Sequence, residues 1–319
     1  MSDRTPDWSG LLKWYPSRWR SRYGDEFTAM MEDSLDGRPA SRRFRASIAW
    51  AGLRERGHET GLFGDSVPAG DRIRAASLLV LCTWSAFMVA GGNFAKVSEN
   101  FDLVVPPRSH VLSAASYYTV FVGAVVGGLL VLAGAAIAIP AFARFLRSGG
   151  WPSVRGHILR AGAATVVAVA ATTALVVLAH TLSPAQRNGE LLYHPVVGYY
   201  LAAFVATMLL LLLTLALWTA AAVAVTRRLA LAESVISAEA WLAVALAAVM
   251  ILMTAATTVW WAATGSSAPW FVQGTLPGSP ASAFDPNLVA TLALMVLASA
   301  AASFGVVRMA RAWKALRLG

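Results

Sequence analysis

Hydrophobic positions fall into two regimes along the chain. From residue 75 onward, six stretches are nearly continuous in apolar side chains: 75–92, 116–142, 161–182, 196–225, 240–263 and 288–307. A helix needs about 20 apolar residues to cross a hydrocarbon core ~30 Å thick. Each stretch meets or approaches that length. Lipid cannot satisfy a bare backbone, so helices are the expected form. The alternating segments of about ten residues that mark a membrane barrel are absent. The fourth stretch is long enough to require tilt or extension beyond the membrane.

Before residue 75 the pattern changes to three- and four-residue spacing. Three helical segments are predicted. The first runs from Trp8 to Trp14 and stops at Tyr15-Pro16, because a residue before proline avoids the helical region. The second covers Ser17–Leu35, with Pro16 in its opening turn. Its stripe is Trp19, Tyr23, Phe27, Met30, Met31 and Leu35. Asp36-Gly37 ends it. The third starts at an N-cap, Ser41, and runs to about His58, with Phe44, Ile48, Ala51 and Leu53 inward. Gly57, Gly61, Gly64, Gly70 and Pro68 then mark a flexible link. The expected fold class is all-α. A small three-helix N-terminal cytoplasmic module (1–60) and a linker (61–74) precede a six-span transmembrane helical bundle (75–307) and a basic tail (308–319).

Charge sharpens this division. Residues 1–74 hold 13 of the 26 Lys/Arg and 11 of the 17 Asp/Glu. The head is therefore nearly balanced, and the overall +9 does not point to nucleic acid. With the N-terminus inside, the cytoplasmic segments carry 23 Lys/Arg against 3 outside (Lys96, Arg108, Arg187). That bias predicts a multi-pass protein of the cell membrane with both termini cytoplasmic. Cytoplasmic loops are expected at 144–160 and 226–239, and outer loops at 93–115, 183–195 and 264–287. The tail, with Arg308, Arg311, Lys314 and Arg317 around Trp313, reads as a short helix on an anionic leaflet. Trp260, Trp261 and Trp270 are placed in an interfacial aromatic belt.

Candidate chemistry in the spans is sparse. No Asp, Glu, Lys or Arg lies centrally in any of them, which argues against ion-coupled transport. His180 sits near the outer end of the third span and reads as an interfacial hydrogen-bonder. The single cysteine, Cys82, supports neither an internal disulfide nor a zinc site. No metal, no cofactor and no catalytic residue is expected, because nucleophile–base pairs, metal spacings and phosphate loops are all missing. The chain is not expected to be an enzyme. In the second span Gly123 and Gly127 have the spacing of a helix-packing motif. Packing inside the bundle is the preferred reading of them over a homodimer face.

The head carries a more specific signal. The run Trp14-Tyr15-Pro16-Ser17-Arg18-Trp19-Arg20-Ser21-Arg22-Tyr23-Gly24-Asp25-Glu26-Phe27, with Glu32-Asp33 and Ala51-Gly52-Leu53-Arg54-Glu55-Arg56 after it, resembles the head of actinobacterial zinc-free membrane anti-sigma factors. These are of the type that restrains the developmental sigma factor BldN (RsbN type). The resemblance covers roughly residues 10–60. It implies a membrane-anchored protein that sequesters an extracytoplasmic-function sigma factor through its head. The commonest anti-sigma heads carry a His-Cys-Cys zinc motif, which this head lacks. A related-looking head also precedes permease-like proteins, so a transporter component with a regulatory prefix is the alternative. On the anti-sigma reading Trp14, Tyr15, Trp19, Tyr23, Phe27, Phe44 and Ile48 are the expected apolar contacts to the sigma factor. Arg20, Arg22 and Glu26 form the expected polar rim. The lipid bilayer is the other expected partner.

Overall fold

The computed structural model describes residues 9–35, 40–59, 67–98, 110–183, 195–229, 231–272 and 286–318. Among them there is no strand. The helices are α1 (Ser9–Leu12), α2 (Ser17–Leu35), α3 (Arg42–Glu59), α4 (Ala69–Val97), α5 (Val111–Arg147), α6 (Trp151–Thr181), α7 (Pro195–Thr226), α8 (Glu233–Ser267), α9 (Pro269–Val272) and α10 (Pro286–Leu318). Six of these, α4 to α8 and α10, are long and apolar enough to cross a membrane. The chain is thus an all-helical, multi-pass membrane protein by length and composition of its helices. It divides into two compact units, residues 1–76 with 307–319, and residues 77–306.

The helices run well past the apolar stretches. Between α5 and α6 only Ser148–Gly150 remain, so the expected loop 144–160 shrinks to a tight turn. Gly149 there has φ 81°, a left-handed conformation that suits glycine. Ser148, Gly149 and Gly150 donate N–H bonds to the Arg144, Leu146 and Phe145 carbonyls at 3.0, 3.1 and 3.0 Å. These satisfy the carbonyls left bare where α5 ends. Likewise α8 begins at Glu233, well inside the expected loop 226–239. The expected tail helix is the continuation of α10, and residues 69–74 of the expected linker belong to α4. Hydropathy marks where lipid ends, whereas a helix ends where its backbone bonds are intercepted. Residues 61–66 of the linker, and Trp8, Asp36 and Gly37, lie outside the described residues.

Within residues 77–306, two helix pairs pack most extensively, α5 with α8 and α6 with α7. In α8 the most apolar window is 39% buried, against 11% and 12% in α6 and α7. So α8 is central and the α6–α7 pair is peripheral. Small residues set the close approaches. A side chain at Gly127 would run into the Trp84 ring of α4, and one at Gly123 would meet Met253 Cγ of α8 at 2.5 Å. The glycine pair thus packs inside the chain, against Trp84 and Met253. Sparse hydrogen bonds tie helices together: Asn93 Nδ2 donates to Thr291 Oγ1 at 2.6 Å, and Trp218 Nε1 donates to Thr165 Oγ1 at 2.8 Å. The Thr254 and Ser299 hydroxyls pair at 2.9 Å. Each such bond contributes roughly 0.6 kcal/mol in a membrane protein.

Trp260 departs from the expected aromatic belt. Its side chain is fully buried, in edge-to-face contact with Phe94 at 5.0 Å. Trp261 is half-buried, and the side chain of Trp270 lies outside the described residues. His180 is exposed, with Nδ1 2.8 Å from the Val176 carbonyl of its own helix.

Candidate protein-binding surface

The first unit is organised by helices α1, α2 and α3. Tyr15 N–H donates to the Leu12 carbonyl at 3.0 Å, closing the α1 turn, and Arg20 N–H donates to the Pro16 carbonyl at 2.9 Å, opening α2. Phe44 N–H donates to Ser41 Oγ at 3.2 Å, so Ser41 caps α3 as its sequence predicts.

Tyr15, Met31 and Ile48 are buried together, and Leu11, Trp19, Phe27, Leu35, Ala40 and Phe44 pack against them. Tyr15 stacks on Trp19 with centroids 4.1 Å apart, and Phe27 meets both rings at 5.4 Å. Such aromatic pairs contribute about 0.5–1.5 kcal/mol each beyond the area they bury. Burial, and then the Glu55 carboxylate nearby, raise the Tyr15 phenol above its ordinary pKa. Arg56 Nη2 donates to the Lys13 carbonyl and ties α3 back to the α1–α2 turn.

Glycine governs how α3 sits. A Cβ on Gly52 would lie 2.9 Å from the Trp14 carbonyl carbon and 3.0 Å from Tyr15 Cδ2. The inward row of α3 is thus Phe44, Ile48 and Gly52, at four-residue spacing. This corrects the expectation that Ala51 and Leu53 face inward, for both are exposed. The reason is that a glycine in the contact row carries no hydrophobic signal, so the apolar pattern shifts onto its neighbours.

The expected contact residues separate accordingly. Tyr15, 5% exposed, and Ile48 are closed into the core, and Trp19, Phe27 and Phe44 are half-buried against it. Trp14 (44%) and Tyr23 are exposed, as are Arg20, Arg22 and Glu26. Tyr23 sits at the edge of the aromatic stack, 5.6 Å from the Trp19 centroid, with the Arg22 guanidinium 5.2 Å from its own ring. Three apolar side chains outside the expected contact set are also exposed: Trp50 (71%), Met30 (58%), which the sequence placed in the α2 stripe, and Leu53 (42%). Trp50 and Leu53 are three residues apart on one face of α3. The signal for Trp50 was available, since it stands two residues from the inward row at Ile48 and Gly52.

Among the described residues, no cluster of three or more His, Cys, Asp or Glu could hold a metal. Comparison with known proteins gives no match to any family model, curated protein or solved structure.

Proposed function

We propose that the chain is a membrane-anchored anti-sigma factor whose N-terminal helices form a cytoplasmic head that sequesters an extracytoplasmic-function sigma factor. The observation that carries this reading is the exposed apolar set of the head, Trp14, Tyr23, Met30, Trp50 and Leu53, standing on a closed core, with Arg20, Arg22 and Glu26 exposed as well. Large aromatics and arginines are the residues that anchor protein interfaces. Sequestration needs binding alone, which suits a head built from packing and charge. The basic bias of the segments assigned to the inside supports cytoplasmic termini and a plasma-membrane location. The head sequence resembles that of zinc-free anti-sigma factors.

The second reading, a permease-like transporter component with a regulatory prefix, has one supporting observation, a cavity of about 740 Å³ between α4, α6 and α7. Among the described residues, the connection at 148–150 is a tight turn with no separate helix that could couple to an ATPase, so the anti-sigma reading is preferred.

The test is affinity capture of the full-length protein, solubilised from its own cells, with probing for sigma subunits. A sigma factor is expected with the wild-type chain and is lost with Trp14→Ala/Trp50→Ala. Capture of no sigma factor by the wild-type chain refutes the reading, and an ATPase in its place supports the second one.

A further inference from the structure

The cavity between α4, α6 and α7 has a chemically divided lining. Its walls include Val89, Leu212, Leu215 and Val223, and one end is formed by His157, Arg227 and Arg228. Among the described residues, no acidic side chain lines it. From Leu212 to Arg227 the helix rises about 22 Å, more than the roughly 15 Å half-thickness of a hydrocarbon core. The volume, about 740 Å³, lies within the range of sites that enclose small organic ligands, roughly 300–1,000 Å³. Partway along, the Ser85 and Thr219 hydroxyls pair at 3.3 Å and tie α4 to α7. At the basic end Arg228 Nη1 donates to the Ser153 carbonyl, which fixes that guanidinium against the start of α6.

An apolar trough that ends in cations at the edge of a span matches one class of molecule already present in a bilayer. We propose that this cavity binds an anionic phospholipid. Its acyl chain lies along α7 against Leu212, Leu215 and Val223, and its phosphate sits among His157, Arg227 and Arg228. Basic pockets between membrane helices recognise anionic headgroups through this pairing of charge. A zwitterionic lipid brings its own cation to the same place and gains less. The lipid bridges the peripheral α6–α7 pair to α4, where protein contacts are few.

The experiment is native mass spectrometry of the full chain released from nanodiscs of mixed phosphatidylcholine and phosphatidylglycerol. Wild type is expected to retain phosphatidylglycerol in preference. Arg227→Gln/Arg228→Gln is expected to lower that retention about fivefold per arginine removed. Ala220→Phe, which fills the cavity and keeps its charges, is expected to lower it as well. The control Arg311→Gln/Lys314→Gln removes two cations outside the lining and is expected to leave retention unchanged. Equal retention of the two lipids by wild type overturns the proposal. So does full retention by Ala220→Phe, a result that can be read even if the double arginine variant fails to fold. A control that loses as much lipid as the arginine variant also overturns it, since general surface charge then explains the binding.

Discussion

Replacing Gly127 by alanine tests how the membrane helices are held together. The added Cβ would stand 2.6 Å from Cζ2 and 2.8 Å from Cζ3 of Trp84, and closer still to its Cη2. Carbon atoms pack at about 3.5–4.0 Å, so the indole must withdraw by roughly 1.5 Å. It has little freedom to do so, because Trp84 is buried and stacked at 5.9 Å on Phe87. Overpacking of this kind costs about 1–3 kcal/mol, and a rigid ring places Gly127→Ala near the upper end. Gly123→Ala presses on the Met253 side chain at 2.5 and 2.9 Å. A thioether can rotate away, so about 1 kcal/mol is expected. Gly128 has nothing within 4 Å of its Cβ position, and Gly128→Ala is expected to be neutral or to stabilise by up to about 1 kcal/mol. The assay is denaturant unfolding of the purified protein in detergent, read by tryptophan fluorescence. In a Trp84→Phe background the ring is shorter, and the Gly127→Ala cost should fall below about 1 kcal/mol, a coupling that a double-mutant cycle measures. Equal stability of the Gly127 and Gly128 variants, or an undiminished cost in the Trp84→Phe background, refutes the packing described.

Other expectations concern the head. Gly52→Ala brings a methyl against the Trp14 backbone and is expected to cost about 2 kcal/mol, measured as faster proteolysis between α1 and α3. Because the folded-state pKa of Tyr15 is raised above 10.0, its contribution is fully present below pH 10 and is lost as pH rises through the folded value. Tyr15→Phe should therefore flatten alkaline unfolding of the head, followed by fluorescence above pH 10. Trp50→Ala, at a side chain 71% exposed, should leave stability within about 0.5 kcal/mol while weakening sigma-factor capture by about 2 kcal/mol or more if Trp50 anchors the interface. Near-normal capture by that variant would remove Trp50 from the proposed surface.

The sequence by itself determined the all-helical class, the six apolar helices, the boundaries of α2 and the cap of α3. Each of these rests on information local in the chain: a run of apolar residues, the Pro16 step, the Ser41 hydroxyl placed three residues before the Phe44 N–H. Packing is a relation between distant segments, and only the tertiary structure decided it. No local pattern tells that Trp260 turns inward onto Phe94, since tryptophan suits a membrane interface and a helix interior equally well. Nor does any tell that Gly52 occupies the contact row of α3, because glycine contributes closeness by what it lacks. The same reason hid which aromatic residues of the head stay exposed. Tyr15 and Trp50 look alike as aromatic residues of the head, and the fold alone closes the first into the core and leaves the second on the outside. Joining α4, α6 and α7 also brought His157 to Arg227 and Arg228, seventy residues along the chain, at the end of an apolar cavity that no segment of the sequence contains on its own.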